Sequence, residues 1–522
     1  MFDFRGKVLV ALITLTCSIG FMLFGYDQGV LSGLIGADNQ FGTDFNHPDP
    51  TTQGLIVSVY QLGNVGGSIV IFLIGDKLGR KKSLLYSTIV MLIGAILQTA
   101  AINRGMMYAG RVITGFGNGG NTSTIPVWQS ETSTAKDRGK LVAIDTCLVI
   151  FGILIAYWMD YGFAQISGPA QWRFPIGFQM VFMAILIPLI LILPESPRWL
   201  HEQGRHEEAN NVIARLVGKA VALDDDRVLE LAKEINDAIE LEHADGPFHY
   251  RELFAGGKLQ NFRRMVLCFC VDAFQQLGGI CVITYYLPTI LESSAGLSRH
   301  MSLLMAGIIT TEYFLSSVFQ IWLTDKFNRR TLLFVSSWGE IITMAVLAIT
   351  VHDGGRPAAW VAVVMVFLYN TFYSWGWLTV PFLYPAEITT LRLRARGAAI
   401  ASVGAWLTEF MVVQITPIAV ANIGYKTYVL FCVLNLGIIV PVTYFFFPET
   451  ANMRLEDIDH IFEGGGITGG VIGKNGLLND RRKDIERENH LPNESVKTSG
   501  SPISSSVGGK NDSFDHVEAK TG

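Results

Sequence analysis

The feature that most constrains this chain is a series of long apolar segments that recur along nearly all of it. A helix that crosses the hydrocarbon core of a bilayer needs about 20 mostly apolar residues. We find twelve such segments and number them spans one to twelve. They cover residues 8–30, 54–75, 84–102, 107–128, 140–160, 172–193, 264–291, 301–323, 331–351, 358–382, 396–420 and 427–447. Only 16% of the residues are charged, against about 25% in an average soluble domain. The pattern predicts an all-α membrane protein with twelve transmembrane helices.

Two polar stretches divide the chain into regions. Residues 194–262 carry charges of alternating sign, which favours short amphipathic helices. The end of the chain is rich in glycine, serine, asparagine and lysine and has few aromatic residues, a composition typical of disorder. The predicted regions are an N-terminal six-helix half over 1–193, a cytoplasmic helical linker over 194–262, a C-terminal six-helix half over 263–460 and a disordered cytoplasmic tail over 461–522.

Basic residues cluster in alternate loops, after spans two, four, eight and ten. They are Lys77, Arg80, Lys81, Lys82, Lys136, Arg138, Lys140, Lys326, Arg329, Arg330, Arg392, Arg394 and Arg396. The loops between, such as residues 36–53, are poor in lysine and arginine. Because basic loops remain in the cytoplasm, this distribution predicts that both termini and the linker are cytoplasmic.

Three motifs occur twice in the same order, roughly 250 residues apart. Residues 75–81 (Gly-Asp-Lys-Leu-Gly-Arg-Lys) match residues 324–330 (Thr-Asp-Lys-Phe-Asn-Arg-Arg). The pair Glu131 and Arg138 matches Glu387 and Arg394, and Pro-Glu at 194–195 matches Pro-Glu at 448–449. This repetition indicates two parallel halves of six helices each.

These motifs and several others resemble the sugar porter family of the major facilitator superfamily. The residues that carry the resemblance are Asp76, Gly79-Arg80-Lys81, Gly110-Arg111, residues 126–131 with Arg138-Gly139, residues 194–200, residues 275–279 and residues 448–450. Residues 121–131 and 171–175 resemble the fungal branch, which includes sugar and polyol proton symporters. The resemblance implies the major facilitator fold and a plasma-membrane secondary transporter. We expect it to import a monosaccharide, polyol or oligosaccharide with protons by alternating access.

A carboxylate within span one is the residue that most specifically indicates a functional site. Asp27 lies in Phe-Gly-Tyr-Asp-Gln, and a charged side chain at membrane depth indicates a functional site. Arg111 in span four is the expected partner. In the proton-coupled members that this chain resembles, the aspartate at the matching position takes up the proton. The alternative is a fixed structural ion pair.

Acidic and basic side chains at the cytoplasmic helix ends predict a gate. Ion pairs near water break and re-form at modest cost, as a gate in alternating access requires. The predicted gate residues are Asp76, Arg80, Glu131 and Arg138 in the first half and Asp325, Arg330, Glu387 and Arg394 in the second. The alternative is that these charges only set the topology and cap helices.

The resemblance also implies a substrate site, because amide groups bind hydroxyls and aromatic rings pack against the apolar face of a sugar. The matching residues are Gln275, Gln276, Cys281, Tyr285, Tyr286, Phe382 and Trp406. The family usually has asparagine where this chain has Cys281, Ala405 and Glu409, and span eight lacks the usual asparagine.

Acidic residues appear in the apolar segments instead of those amides. They are Asp145, Asp272, Glu312, Glu340 and Glu409, and each could face the cavity, lie behind it or lie at a cytoplasmic edge. This difference leaves three alternatives open, namely a facilitator, an efflux carrier for a non-sugar metabolite and a non-transporting sugar sensor.

Other classes of function have no support in the sequence. No phosphate-binding glycine loop precedes a Lys-Ser/Thr pair and no nucleophile elbow is present, so we expect neither an enzyme nor a cofactor. The six cysteines lie in apolar segments, which indicates buried thiols and no metal site. The net charge of −5 gives no sign of nucleic-acid binding, so the expected partners are the substrate, the proton and the lipid bilayer.

Overall fold

A computed structural model provides the structure of the chain. It describes residues 4–35, 39–133, 138–218, 221–243, 249–257, 259–293, 296–353, 355–451, 453, 458 and 461–462. The described part is helical and contains no strand. The tail predicted over 461–522 lies outside the described residues, apart from its first two.

Spans one to six form the first half of the membrane region. Their helices are Lys7–Gly29, Pro50–Leu78, Arg80–Thr99, Arg104–Thr132, Arg138–Phe163 and Ala170–Ile192. A short helix, Gln40–Asp44, lies in the loop between spans one and two. In the described chain, eleven helices are apolar and long enough to cross a membrane, and span four is the predicted one that they do not include. Span four is long enough but rich in glycine and polar residues.

Spans seven to twelve form the second half. Span seven comprises Asn261–Gln275, Gln276–Ile280 and Cys281–Ser293, and spans eight and nine are Arg299–Lys326 and Arg329–Asp353. Span ten comprises Arg356–Trp375 and Val380–Ile388, span eleven is Arg394–Ile423, and span twelve comprises Lys426–Leu434, Asn435–Ile439 and Val440–Phe446. Span seven bends where Gly279 adopts a φ of 109°, a conformation that favours glycine.

Span four packs against span two through small residues. A Cβ atom at Gly115 would collide with the carbonyl oxygen of Tyr60, and one at Gly119 would collide with the carbonyl oxygen of Asn64. Small residues allow such close approach between membrane helices. The close contact between these two helices explains the glycines that lower the hydropathy of span four.

The linker between spans six and seven contains short helices, as its alternating charges predict. They are Pro197–Glu202, His206–Val217, Asp226–His243 and the 3-10 turn Tyr250–Phe254. Trp199, Leu200, Ala209 and Val212 pack into a small hydrophobic cluster that joins the first two helices. We call the side of the membrane region that holds this linker the linker side. The opposite side, which holds residues 30–35 and 39–49, is the loop side.

Candidate functional site

A cavity lies between the two halves, and about 510 Å³ of space, part of it open to solvent, lies within its walls. Spans one, five, seven, eight, ten and eleven contribute to its wall. The lining residues are Phe24, Gln28, Thr146, Val149, Ile150, Ile153, Gln275, Gln276, Ile280, Cys281, Thr284, Tyr285, Tyr313, Tyr373, Leu378, Phe382 and Glu409. Aromatic rings, amides and one carboxylate therefore face the same space.

The bend in span seven holds three polar groups in this wall. The Nε2 group of Gln275 donates to the carbonyl oxygen of Trp377 at 2.7 Å, and Gln275 Oε1 accepts from Gln276 Nε2 at 3.3 Å. The Sγ atom of Cys281 lies 3.0 Å from Gln276 Oε1 and donates to it. The predicted residues Gln275, Gln276 and Cys281 thus form one continuous network on the cavity wall.

The predicted aromatic residues divide into two groups. Tyr285 and Phe382 line the cavity, and Phe382 is 42% exposed at the start of the second segment of span ten. Tyr286 and Trp406 are buried and lie outside the lining. Tyr286 donates its hydroxyl to the carbonyl oxygen of Val413 at 3.0 Å. The Trp406 ring lies edge-on against Phe24 with centroids 5.4 Å apart, so it supports a lining residue from behind.

Glu409 is the acidic residue that the structure places in the cavity wall. Its Oε1 atom accepts hydrogen bonds from Tyr285 Oη at 2.7 Å, Gln28 Nε2 at 3.2 Å and Gln61 Nε2 at 3.3 Å. Gln61 also donates to Tyr285 Oη at 3.0 Å. Glu409 therefore joins spans one and two of the first half to spans seven and eleven of the second.

Four of the other acidic residues in apolar segments do not line this cavity, namely Asp145, Asp272, Glu312 and Glu340. Glu312 accepts from Thr371 Oγ1 at 2.6 Å, and Glu340 accepts from Ser336 Oγ at 3.1 Å. Each of these two glutamates has a hydroxyl partner within the second half.

Asp27 and Arg111 form a fully buried ion pair. The Nη1 atom of Arg111 lies 3.2 Å from both carboxylate oxygens of Asp27, and neither side chain is exposed. The guanidinium also stacks on the ring of Tyr60, 4.4 Å from its centroid. Asp27 precedes Gln28, and Tyr60 precedes Gln61, so the ion pair and the Glu409 cluster share two stretches of backbone.

Hydrogen bonds close the cavity on the loop side. Tyr157 of span five donates to the carbonyl oxygen of Thr284 at 2.6 Å, and Thr289 donates to the carbonyl oxygen of Ile35 at 3.2 Å. Arg299, at the start of span eight, donates to the carbonyl oxygen of Gly33. These contacts join the two halves, and sequence reasoning missed them because their acceptors are backbone carbonyl groups.

A corner on the linker side of the first half holds a cluster of charges. Arg80 makes a bidentate contact with Glu131, at 3.0 and 2.9 Å, and a further contact with Asp76 at 3.3 Å. Glu195 accepts from the backbone N–H groups of Arg80 and Lys81 at 2.9 and 3.0 Å. The side chain of Arg138, also predicted for this gate, lies outside the described part of the structure.

The corresponding corner of the second half repeats this arrangement. Arg329 contacts Glu387 Oε1 through Nε and Nη2, both at 3.3 Å, and Glu449 accepts from the backbone N–H groups of Arg329 and Arg330 at 2.9 and 3.1 Å. The predicted gate included Arg330, but its side chain instead donates to the carbonyl oxygen of Tyr444.

Two other residues of the second half were predicted for this gate. Asp325 is exposed and takes part in none of the described ion pairs, and Arg394 is the first residue of span eleven. The correction to the predicted cluster is therefore that Arg329, one residue earlier than Arg330, is the partner of Glu387.

The linker contacts both halves at these corners. Trp199 Nε1 donates to the carbonyl oxygen of Asp76 at 2.6 Å, and Arg392 makes two bonds of 2.9 Å to the carboxylate of Glu252. The hydrogen bonds from Arg392 and from the backbone of His249 hold the pKa of Glu252 below its ordinary value. Partial burial raises the pKa of Glu202, against the opposing effect of Arg80.

The fold and the site together define a membrane transporter, in which two sets of spans enclose a central cavity. The family model described as "Sugar (and other) transporter" matches residues 12–462. The chain belongs to this family of multi-pass membrane transporters, which confirms the predicted family.

Curated fungal relatives match most of the chain. The "MFS-type transporter oryC" of Aspergillus oryzae is 39% identical over 470 residues, which are 88% of this chain and 87% of the relative. The "Sugar transporter STL1" of Saccharomyces cerevisiae is 36% identical, and the alignment covers 88% of this chain and 82% of the relative. The "High-affinity glucose transporter" of Kluyveromyces lactis is 31% identical, and the alignment covers 86% of this chain and 84% of the relative.

Solved structures of a bacterial transporter share the fold. The proton:xylose symporter XylE bound to 6-bromo-6-deoxy-D-glucose aligns with a TM-score of 0.72 at 24% identity, covering 86% of this chain and 98% of that one. An inward-open structure of XylE from E. coli aligns with a TM-score of 0.71 at 23% identity, covering 86% of this chain and 99% of that one. The predicted all-α membrane protein with the major facilitator fold is confirmed.

Proposed function

We propose that this chain is a proton-coupled secondary transporter that imports a sugar or a polyol across the plasma membrane by alternating access. The observation that carries the proposal is the fully buried ion pair between Asp27 and Arg111 beside the cavity. A buried carboxylate is stable either ionised beside the guanidinium or protonated without it. Exchange between these two states is the step that binds and releases a proton.

The ion pair is placed to respond to the occupancy of the cavity. Gln28, the neighbour of Asp27, lines the cavity and donates to Glu409 of the second half. Gln61, the neighbour of Tyr60 under the guanidinium, donates to the same carboxylate. A ligand that displaces these amides would act on the backbone beside Asp27 and beside Tyr60, the ring on which Arg111 stacks, which links binding to protonation.

A hydroxyl-rich substrate is supported by the wall of the cavity and by the names of the relatives. Gln275, Gln276 and Gln28 offer amide donors and acceptors, and Tyr285, Tyr313 and Phe382 offer aromatic surface. Relatives are described as sugar and glucose transporters, and XylE is described as a proton:xylose symporter.

Alternating access requires that contacts on the two sides break in turn. In this conformation the loop side is held by Tyr157, Thr289 and Arg299, whose partners lie in the opposite half. On the linker side, the Arg80 and Arg329 ion pairs each join spans of one half, and we propose that these corners form the cytoplasmic gate. With the basic loops in the cytoplasm, the side that these contacts hold together is the extracellular one.

Uptake of labelled compounds tests the proposal in a host that lacks its own sugar carriers. The panel contains hexoses, pentoses, disaccharides, glycerol and longer polyols at acidic external pH, with and without a protonophore. We expect one class to accumulate and the protonophore to abolish the accumulation. Asp27→Asn should also abolish accumulation while it preserves exchange of substrate across the membrane. Glu312→Gln is the matched control, because Glu312 contacts Thr371 and does not line the cavity.

Each result discriminates between candidate activities. Accumulation that persists in Asp27→Asn contradicts the coupling role of the ion pair. Equilibration without accumulation in the wild-type chain indicates a facilitator. No uptake of any compound, with the protein present at the cell surface, favours an efflux carrier for a non-sugar metabolite or a non-transporting sensor.

A further inference from the structure

Only one of the two carboxylate oxygens of Glu409 accepts hydrogen bonds from the described residues. All three hydrogen bonds that the described residues make to it end on Oε1, from spans one, two and seven. Oε2 accepts none of the described hydrogen bonds. Because three donors from separate helices hold Oε1, the orientation of the whole carboxylate is set before a ligand enters.

The remaining oxygen belongs to a side chain that lines the cavity yet is only 1% exposed. Among the described residues, no basic side chain forms an ion pair with Glu409. A ligand that covers this oxygen without supplying a donor leaves it unpaired at a cost in free energy, so a ligand that supplies a donor at this point gains an advantage over one that does not.

We propose that Glu409 determines the specificity of the cavity, and that its Oε2 atom accepts a hydrogen bond from a hydroxyl group of a neutral polyhydroxy ligand. This inference rests on the proposed transport of a sugar or polyol. A hydroxyl fits the surroundings because its own oxygen can accept from a nearby amide such as Gln28 or Gln276, whereas an ammonium group has no lone pair to offer those donors. Arg111 also interacts electrostatically with Glu409 and opposes the binding of a second cation.

The specificity follows from the chemistry of the side chain. An ionised carboxylate only accepts hydrogen bonds, whereas an amide both donates and accepts. Glu409 should therefore distinguish a hydroxyl group from fluorine, which accepts weakly and cannot donate. A glutamine at the same position can turn its NH₂ group toward the fluorine and lose this discrimination.

The test compares binding of parent compounds and their analogues to the purified full chain at neutral pH. The probes are the neutral hexoses, pentoses, disaccharides and polyols of the uptake panel, the deoxy and deoxyfluoro analogues of each parent that binds, and D-glucosamine, and thermal stabilisation reports binding. For a parent that binds, we expect substitution of one particular hydroxyl to weaken binding about tenfold or more, the loss typical of a hydrogen bond to a charged acceptor. In Glu409→Gln the penalty for fluorine at that position should fall to about threefold or less.

Two controls separate this role from a general loss of folding. Glu312→Gln removes another glutamate at membrane depth outside the cavity and should keep the wild-type discrimination. Glu409→Asp keeps the carboxylate on a shorter side chain, so it should weaken binding of the parent while it preserves the preference for hydroxyl over fluorine.

The possible failures are distinguishable. If a parent compound binds and Glu409→Gln leaves every analogue ratio unchanged, the role of Glu409 is wrong and the proposed transport function stands. If the wild-type chain prefers D-glucosamine to D-glucose and Glu409→Gln removes that preference, Glu409 takes a cation and the inference is overturned. If no neutral compound of the panel binds, the proposed function and this inference both fail.

Discussion

The two halves of the chain have matching charge clusters at their corners on the linker side, but they differ at the centre of the membrane. In the first half Arg80 pairs with Glu131 while Glu195 accepts from the backbone beside Arg80. In the second half Arg329 pairs with Glu387 while Glu449 accepts from the backbone beside Arg329. The same three roles are thus filled by the same residue types at matching positions of the repeat.

The central carboxylates show no such correspondence. Asp27 of the first half lies against Arg111 and outside the cavity lining, whereas Glu409 of the second half lines the cavity and its three described partners are uncharged. The repeat therefore preserves the corners that we propose to open and close. The halves differ at the centre of the membrane, where we propose that the proton and the substrate bind.

The largest expected effect comes from removing the cation of the first half. Arg111→Leu leaves Asp27 buried without a partner, and we expect a loss of about 3–5 kcal/mol in the free energy of unfolding. Unfolding of the purified full chain by heat and by denaturing detergent measures this loss. Glu409→Gln should cost less than Arg111→Leu by the same measurement, because it weakens hydrogen bonds but leaves no unpaired charge behind.

A double variant shows whether the charge is the cause. Asp27→Asn combined with Arg111→Leu removes both members of the pair and should recover part of the stability that Arg111→Leu loses. If the double variant is as unstable as Arg111→Leu, the damage comes from lost packing against Tyr60 and not from the unpaired carboxylate.

The next effect compares two adjacent tyrosines of span seven. Tyr285 donates to the carboxylate of Glu409, whereas Tyr286 donates to the backbone carbonyl of Val413. Tyr285→Phe should cost about 1.5–3 kcal/mol and Tyr286→Phe about 0.5–1.5 kcal/mol, since hydrogen bonds to charged groups are the stronger. In Glu409→Gln the effect of Tyr285→Phe should shrink toward that of Tyr286→Phe. Equal effects of the two tyrosines in the wild-type chain would contradict a charged Glu409.

A smaller effect tests whether the corners are equivalent. Arg80→Ala and Arg329→Ala should each lower the maximal transport rate about fivefold, which corresponds to about 1 kcal/mol in the barrier, the upper end for a partly exposed ion pair. Arg330→Ala is the matched control, because its guanidinium contacts Tyr444 and not Glu387, and it should change the rate less than about twofold. A larger loss in Arg330→Ala than in Arg329→Ala would break the proposed correspondence of the two corners.

The difference between Arg329 and Arg330 shows where sequence reasoning reaches its limit. The motif repeat aligns Arg80 with Arg329, but two adjacent arginines offered the same charge, and only their backbone positions decide which side chain reaches Glu387. Tyr286 and Trp406 lie outside the cavity lining for a similar reason. The bend at Gly279 and the packing of span eleven decide which helix face reaches the cavity, and periodicity alone does not describe a bent helix.

The fold was easier to predict than the site. Long apolar segments have few alternatives to membrane helices, so all twelve predicted spans coincide with helices, including the glycine-rich span four. The pairing of Asp27 with Arg111 was also predictable, because each charge needs a partner at membrane depth. The loop-side contacts to Ile35, Gly33 and Thr284 end on backbone carbonyl oxygens and leave no pattern in the sequence.

The smallest expected effect concerns how each half holds the linker. The first half accepts a hydrogen bond from Trp199 on a backbone carbonyl, whereas the second half forms an ion pair between Arg392 and Glu252. The pKa of Glu252 is lower in the folded chain because Arg392 donates to it. The ion pair therefore contributes its full stabilisation above the unfolded pKa of about 4.3, and this contribution is lost as pH falls through the lower folded pKa.

We expect Glu252→Gln to lower the free energy of unfolding by less than about 1 kcal/mol at neutral pH, which a slightly lower melting temperature of the purified chain reports. The effect is small because the Glu252 side chain is 30% exposed and water screens the ion pair. The difference from wild type should disappear at acidic pH, where Glu252 is protonated in both states. Trp199→Phe should cost stability by an amount that does not vary over the same pH range. If the Glu252→Gln difference is independent of pH, Arg392 and Glu252 hold the linker by shape and hydrogen bonding alone, and the two halves attach to it in the same way.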